Sequence, residues 1–534
     1  MASLIQSPLY NKRLLPVELF AKIFEHACLD DGPVEVKPDS MPLVLSQVSR
    51  AFRQLALESS NIWSSLRIDP PYPSPAYIAT VEAWILKSKG RPLTLEVILA
   101  DGVALDDNIP SSPGAEMAAT ERRIANGDLL EVIYAQAPRW HTVTLDYEDA
   151  DSGSLLSAPL AHGEWTFCKL KTFILYTAFE EHDPDDPGDH DVNRHLNANL
   201  HLNAILARAP LLSQFTWRDP IITRERLWNA LELPFDSLRE LELRCSMSPE
   251  ELVDIVSKCP RLECAFLCAD MNRHPLGLKV GLICHKNLKN LAIKQSPTTD
   301  DSLYQLLHLP SLEKLEVFSL DSSSADLISF LKRHHFLSEL ELHCELESVA
   351  AQELEDLLRA LPSVLRLTLD NTDEEADFRT RVDAPQDEEA DFRTRVDAPQ
   401  GTTHRLVQLL SDQDVRGNFL FCPHLHAITL SNLAHWCEDD RLVDFVQRRH
   451  RAFPDTARIF MRPVYVLRDT FVSLQELGQQ GVPVDIEWHT LPAVGLTGGW
   501  SLLTESYGRY QMKNKGTTQA LNVAIENYAK QVNT

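Results

Sequence analysis

Two patterns of hydrophobic and polar positions divide the chain, and the first lies within residues 14–66. After Pro16 and Glu18, which suit the first turn of a helix, apolar residues recur at helical intervals: Leu19, Phe20, Ile23, Phe24 and Ala27. A break over residues 30–41 separates them from a second helical stripe: Val44, Val48, Phe52 and Leu55. Short helices cannot bury so wide an apolar face alone. The pattern predicts a small helical block that packs on the next domain or keeps apolar surface for a partner.

The second pattern fills most of the remaining chain and consists of an apolar residue followed by others three and five positions on. Clear copies begin at Leu238, Leu288, Leu312, Leu337, Val364 and Leu425. Counted from Leu212, successive copies begin 26, 24, 26, 24, 25 and 27 residues apart. This spacing is typical of leucine-rich repeats, and helical patterns occupy the gaps. The sequence therefore predicts an α/β fold, a divergent leucine-rich repeat solenoid with parallel strands on its concave face and helices outside.

Alternate strand residues would point away from the core of such a solenoid and form a mixed-charge surface. The candidate substrate-binding residues on this surface are Arg218, Glu240, Glu242, Arg244, Lys294, Glu316, Phe318, Glu339, Glu341 and His343. The alternative interpretation is a set of ordinary solvated strand faces.

The helical block also carries a family resemblance. Leu15-Pro16-x-Glu18-Leu19, Ile23-Phe24, Val48-Ser49-Arg50-x-Phe52 and Ile62-Trp63 resemble, in this order, the F-box, in the variant common in fungal proteins. The resemblance covers residues 13–67 and departs from the family in the long break at 30–41.

The F-box resemblance implies docking on a Skp-type adaptor, which links to a cullin–RING scaffold. By position, it implies a first docking face formed by Leu15, Pro16, Leu19, Ile23 and Phe24. It also implies mixed core and contact roles for Val44, Val48, Phe52 and Trp63.

These patterns predict three regions: an F-box-like domain at 13–67, an irregular repeat domain at 90–463, and a C-terminal cap and tail at 464–534. Acidic insertions interrupt the repeats at 180–191 and 373–400. The second insertion holds two identical copies of DEEADFRTRVDAPQ. Its composition favours an exposed loop over an acidic docking segment.

Composition and motifs limit the other possibilities. Hydrophobic residues make up 44% of the chain, and the net charge of −26 disfavours nucleic acid and anionic membranes as partners. The first residues lack a secretory signal pattern and no apolar run is long enough to span a membrane, so we expect a cytoplasmic or nuclear protein with reduced cysteines.

No common catalytic or phosphate-binding motif is present in the sequence. The calcium-like loop from Asp183 has Pro187 and Arg194 in place of ligands, and Cys259, Cys264 and Cys268 lack a zinc spacing. We therefore expect no cofactor, no metal and no catalytic residue.

Together these observations predict a non-catalytic substrate-recognition subunit of an SCF-type ubiquitin ligase. Its F-box would bind the adaptor and its repeats would bind an unidentified protein substrate. A leucine-rich repeat scaffold that does not direct degradation is the alternative, and a hydrolase or transferase is a third hypothesis.

Overall fold

The chain is an α/β protein with parallel strands, and it divides into two compact units. The first unit comprises residues 1–246 and 258–266, and the second comprises residues 247–257 and 267–534. The computed structural model describes residues 16–30, 32–70, 73–99, 113–147, 165–177, 202–218, 233–269, 283–295, 303–318, 324–344, 349–370, 402–431, 439–454, 458–462, 468–482 and 484–486. Leu15 and the insertions at 180–191 and 373–400 therefore lie outside the described residues.

Three helices open the described part of the first unit: α1 (Val17–Leu29), α2 (Met41–Val48) and α3 (Arg50–Glu58), followed by a 3-10 turn at Ser60–Trp63. The second helical stripe of the sequence is split between α2 and α3 at Ser49, whose backbone is extended (φ −157°, ψ 167°). The Ser49 hydroxyl accepts a hydrogen bond from the Phe52 amide at 3.1 Å and so caps α3. Phe52 then packs against Phe20 and Phe24, with ring centroids 6.0 and 5.2 Å apart, and joins α3 to α1.

The strands of the first unit pair in parallel, each with the next in chain order. They are β1 (Val34–Glu35), β2 (Ser65–Ile68), β3 (Leu93–Leu99), β4 (Trp140–Tyr147), β5 (Thr172–Thr177), β6 (Gln214–Arg218) and β7 (Glu240–Met247). Helices α4 (Pro75–Lys87) and α5 (Pro113–Tyr134) lie between strands. Strand β7, helix α6 (Pro249–Lys258) and strand β8 (Cys264–Ala269) include residues of both units.

The second unit repeats a strand–helix alternation. Its elements are β9 (Ile283–Cys284), β10 (Asn290–Gln295), α7 (Leu303–Leu306), β11 (Leu307–His308), β12 (Lys314–Phe318), α8 (Ser324–Arg333), β13 (Glu339–His343), α9 (Ala351–Arg359), β14 (Arg366–Asp370), α10 (Thr402–Ser411), β15 (Ala427–Ser431), α11 (Asp439–Ala452), β16 (Arg458–Arg462), α12 (Arg468–Gln479) and β17 (Val484–Ile486). Strands β10 and β12 to β17 pair in parallel in chain order, and β9 pairs with β11 separately.

Apolar residues of successive strands stand in register and form continuous buried rows. In the second unit, one row contains Leu291, Leu315, Leu340, Leu367 and Ile428. In the first unit, a matching row contains Leu66, Leu95, Val143, Phe173, Phe215 and Leu241. Because side chains alternate along a strand, the residues between these rows lie on the opposite face of the sheet.

In each unit, paired strands occur outside the repeat region predicted at 90–463. In the first unit, β1 lies within the break at 30–41, and β2 pairs with both β1 and β3. In the second unit, α12 and β17 continue the strand–helix alternation to residue 486, where the sequence predicts a cap. None of the helices in the described ranges is both long and apolar enough to cross a membrane.

Candidate functional site

The helical block presents two exposed apolar stripes on helices that pack against each other. On α1, Leu19 and Ile23 are 47% and 49% exposed, and exposed Pro16 precedes them on the same side. On α2, Val44 and Val48 are 41% and 61% exposed. Residues three, four and seven positions apart share one face of a helix, so each stripe is continuous along its helix. Exposed side chains of this size in neighbouring helices are typical of a partner-binding surface.

Burial corrects the assignment of Phe24 to the first docking face. Phe24 is only 2% exposed because its ring packs edge-on against Phe52 at 5.2 Å. It therefore belongs to the core between α1 and α3. Phe52 is half-buried, as expected of a residue with a mixed role.

Trp63 lies wholly in the core and is unavailable to a partner. Its indole N–H donates to the Ala56 carbonyl at 2.7 Å, and its ring meets Trp84 of α4 at 5.0 Å, nearly perpendicular. These contacts link α3, the 3-10 turn and α4. Of the mixed core and contact roles predicted for Trp63, its burial supports only the core role.

The helical stripes predicted from the sequence leave out three further exposed apolar residues of this block: Val17, Met41 and Leu57. Met41 stands three positions before Val44 and extends the α2 stripe. Ser40 and Pro42 mark the start of α2 and could have revealed Met41 as a helical residue. From the sequence alone, Met41 was assigned to the break at 30–41 and the helix was placed after it.

Strand β1 accounts for the long break between α1 and α2. Val34 and Glu35 pair with Leu66 and Arg67, and the Val36 amide donates to the Arg67 carbonyl at 3.0 Å. The side chains of Val34 and Val36 are buried. The break thus anchors the helical block to the edge of the parallel sheet.

In the first unit, the predicted substrate-binding residues include an ion-pair cluster centred on Glu242. Its carboxylate lies 2.8 Å from Arg218 Nε and 2.7 Å from Arg244 Nε. Burial alone would raise the pKa of Glu242, but the two guanidinium groups outweigh it and hold that pKa below its ordinary value. Glu240, at the start of β7, is exposed.

In the second unit, strand register brings together the side chains predicted on β12 and β13. Glu316 stands opposite Glu341, and Phe318 stands opposite His343. His343 Nε2 lies 3.3 Å from one oxygen of each glutamate, and Nδ1 lies 3.5 Å from Asp370. Lys314 Nζ is 3.2 Å from Glu341 and 3.6 Å from Glu316. We call these five charged residues the β12–β14 cluster.

Electrostatics in the β12–β14 cluster favour positive charge. Burial of His343 opposes its protonation, but the carboxylates of Asp370, Glu316 and Glu341 dominate and raise its pKa to about 11. The pKa of Glu341 is lowered, chiefly by His343 and Lys314 against its own burial. The arrangement can hold a proton or another cation at the point where Glu316, Glu341 and His343 converge.

Burial also corrects the assignment of Phe318 to the substrate-binding surface. Its ring is 7% exposed because the His343 imidazole stacks on it, with centroids 4.4 Å apart and an interplanar angle of 4°. Phe318 therefore supports His343 and presents little surface of its own. Lys294 on β10 and Glu339 on β13 are half-buried, and Glu339 pairs with Arg366 at 3.0 Å.

Both surfaces, the exposed stripes of α1 and α2 and the β12–β14 cluster, follow from residues that helix or strand geometry places side by side. The first is suited to apolar contact with another protein, and the second to binding of positive charge. No protein-family model matches this chain, and no curated protein matches it.

Proposed function

We propose that this chain is the substrate-recognition subunit of an SCF-type ubiquitin ligase, with α1 and α2 docking on a Skp-type adaptor. The observation that carries the proposal is the exposure of Leu19, Ile23, Val44 and Val48 within the segment that resembles the F-box. Burying these side chains against an adaptor would remove apolar surface from water.

The parallel strands would form the platform that holds the substrate. Two features support a leucine-rich repeat solenoid: from Leu212 to Val364 the copies of the apolar motif begin 24–27 residues apart, and the apolar residues of paired strands stand in register. In a solenoid each unit buries its apolar face only against its neighbours, and the strands line an extended binding surface. The ligase function is then tethering, because holding a substrate beside the ubiquitin-transfer machinery raises its effective concentration.

Co-purification with a Skp-type adaptor tests the docking face. We expect the full-length chain to bind the adaptor. The double variant Leu19→Asp, Ile23→Asp should bind it at least about 100-fold more weakly, because each buried, unpaired carboxylate opposes association. Leu86→Asp is the matched control, since Leu86 is a 78% exposed leucine on α4 outside the F-box-like segment.

Two results would reject the proposal in different ways. Adaptor binding by the double variant at the unchanged level would reject this docking face, and absence of binding by the unaltered chain would reject the F-box function. Adaptor binding without a change in the lifetime of any co-purified partner would favour the scaffold that does not direct degradation.

A further inference from the structure

The β12–β14 cluster contains three potential metal ligands from two adjacent strands. Glu316 and Glu341 are register partners, and His343 follows Glu341 by two positions on the same face. One ligand atom of each residue lies within 4.8 Å of the other two. No spacing motif in the sequence links these ligands, because Glu316 and His343 lie in successive repeats.

The distances match those between ligands of a tetrahedral ion. His343 Nε2 is 3.3 Å from Glu316 Oε1 and 3.3 Å from Glu341 Oε1. Oxygen and nitrogen ligands bound at about 2.0–2.1 Å in tetrahedral geometry lie about 3.3 Å from each other. Two of the three distances between ligands therefore match those around such an ion, and a ligand oxygen of each glutamate lies within 4.8 Å of the other.

A second observation concerns the imidazole nitrogen itself. His343 Nε2 is shielded from solvent and lies 3.3 Å from one oxygen of each glutamate, in ion pairs whose geometry is not that of a hydrogen bond. The nitrogen and the two oxygens therefore face a common point inside the cluster. A metal ion at that point would take all three atoms as ligands.

The surroundings hold the three ligands in place. Asp370 contacts Nδ1, the far side of the imidazole, and Phe318 stacks on the ring. Lys314 contacts Oε2 of both glutamates, which leaves each Oε1 to face His343. A carboxylate behind a histidine ligand is the usual support for a metal-bound imidazole.

The charges also favour a divalent ion. Three carboxylates and one ammonium give the cluster a charge of −2 when His343 is neutral, which one divalent ion would neutralise.

We propose that Glu316, Glu341 and His343 bind a divalent transition-metal ion, with zinc as the best match. Imidazole and carboxylate ligands suit zinc, and three protein ligands leave a fourth position open to water or to a side chain of a bound protein. This site does not depend on the proposed ligase function.

Calorimetric titration of the metal-stripped, reduced full-length chain with zinc alone tests the site. We expect the unaltered chain to bind zinc saturably, with one equivalent at this site. In Glu316→Gln, the zinc affinity of that site should be weakened at least about 100-fold. Glu339→Gln is the matched control, because Glu339 lies two positions before Glu341 on β13 but pairs with Arg366. Equal binding by the unaltered chain and Glu316→Gln, or no binding by either, would overturn the proposal.

Cobalt substitution separates this site from cysteine-bound metal, since exposed Cys168 and Cys284 are free thiols. Cobalt at the Glu–Glu–His site should show tetrahedral d–d bands without thiolate charge-transfer absorption, and Glu316→Gln and His343→Gln should each remove those bands. Circular dichroism of both variants establishes that they are folded. Bands that persist in both folded variants would overturn the assignment.

Discussion

At the scale of single residues, Glu242 shows how charge is arranged on the strand face of the first unit. It accepts from Arg218 on the neighbouring strand and from Arg244 on its own strand. Arg218 also lies over the Tyr176 ring at 5.1 Å, and Arg244 over Phe266 at 4.7 Å. The carboxylate therefore organises two cations that would otherwise repel each other.

This cluster predicts a pH-dependent contribution to stability. The folded-state pKa of Glu242 is below the ordinary 4.5, so its stabilising effect is present above that pH and is lost as pH falls through the folded-state value. We expect Glu242→Gln to lower the free energy of unfolding by about 1 kcal/mol at pH 7. The difference from the unaltered chain should shrink as pH falls below 4.5.

Urea unfolding of both proteins across this pH range measures the difference. Glu263→Gln is the control, because Glu263 forms an exposed pair with Arg239 and should matter little at any pH. A loss for Glu242→Gln that is the same at every pH would show that the charge of Glu242 is not its cause.

Residue-scale roles were only partly predictable from the sequence. Helical spacing placed Leu19, Ile23 and Phe24 on one broad apolar side of the helix, but it could not show that Leu19 and Ile23 are exposed while Phe52 covers Phe24. Likewise, strand alternation placed Glu316 and His343 on the polar face. Their convergence depends on register between strands a repeat apart, which no local pattern contains.

At the scale of elements, the 3-10 turn at Ser60–Trp63 joins the helical block to α4. Trp63 supplies the connection through its hydrogen bond to Ala56 and its contact with Trp84. We expect Trp63→Ala to reduce the free energy of unfolding by about 3–5 kcal/mol, because it leaves a large cavity and an unpaired buried carbonyl.

Denaturant unfolding of Trp63→Ala tests this role. Val48→Ala, which truncates a 61% exposed side chain of the same block, should change stability by less than about 0.5 kcal/mol. If Trp63→Ala left stability intact and weakened adaptor binding alone, Trp63 would be a contact residue after all.

The sequence predicted element positions best where the apolar pattern is strongest. Strands β10, β12, β13, β14 and β15 each begin two residues after the first apolar residue of a predicted copy. Strand β1 was missed because two residues are too few to show alternation. The split between α2 and α3 was missed because the same apolar stripe continues through Ser49, whose backbone is extended.

At the scale of the whole molecule, the proposed solenoid predicts that one complete strand–helix repeat can be removed from the second compact unit. Lys314 and Glu339 are register partners, and their amides donate to Lys289 and Glu313 in the same way, at 2.9 and 3.0 Å. Deleting residues 314–338 would join Glu313 to Glu339 and bring β13 beside β10 with leucine opposite leucine. Because solenoid units contact only their neighbours, we expect a folded, less stable chain.

Circular dichroism and denaturant unfolding of this 25-residue deletion test the architecture against a matched half-unit deletion of residues 314–325. The half-unit deletion should abolish folding of the second unit, because it places a helical segment where β10 requires a strand partner. If both deletions were equally disruptive, contacts beyond nearest neighbours would have to hold the sheet together. A folded whole-unit deletion with an unfolded half-unit deletion would instead identify the strand–helix repeat as the structural unit, since only a deletion matching its period preserves the register of the remaining strands.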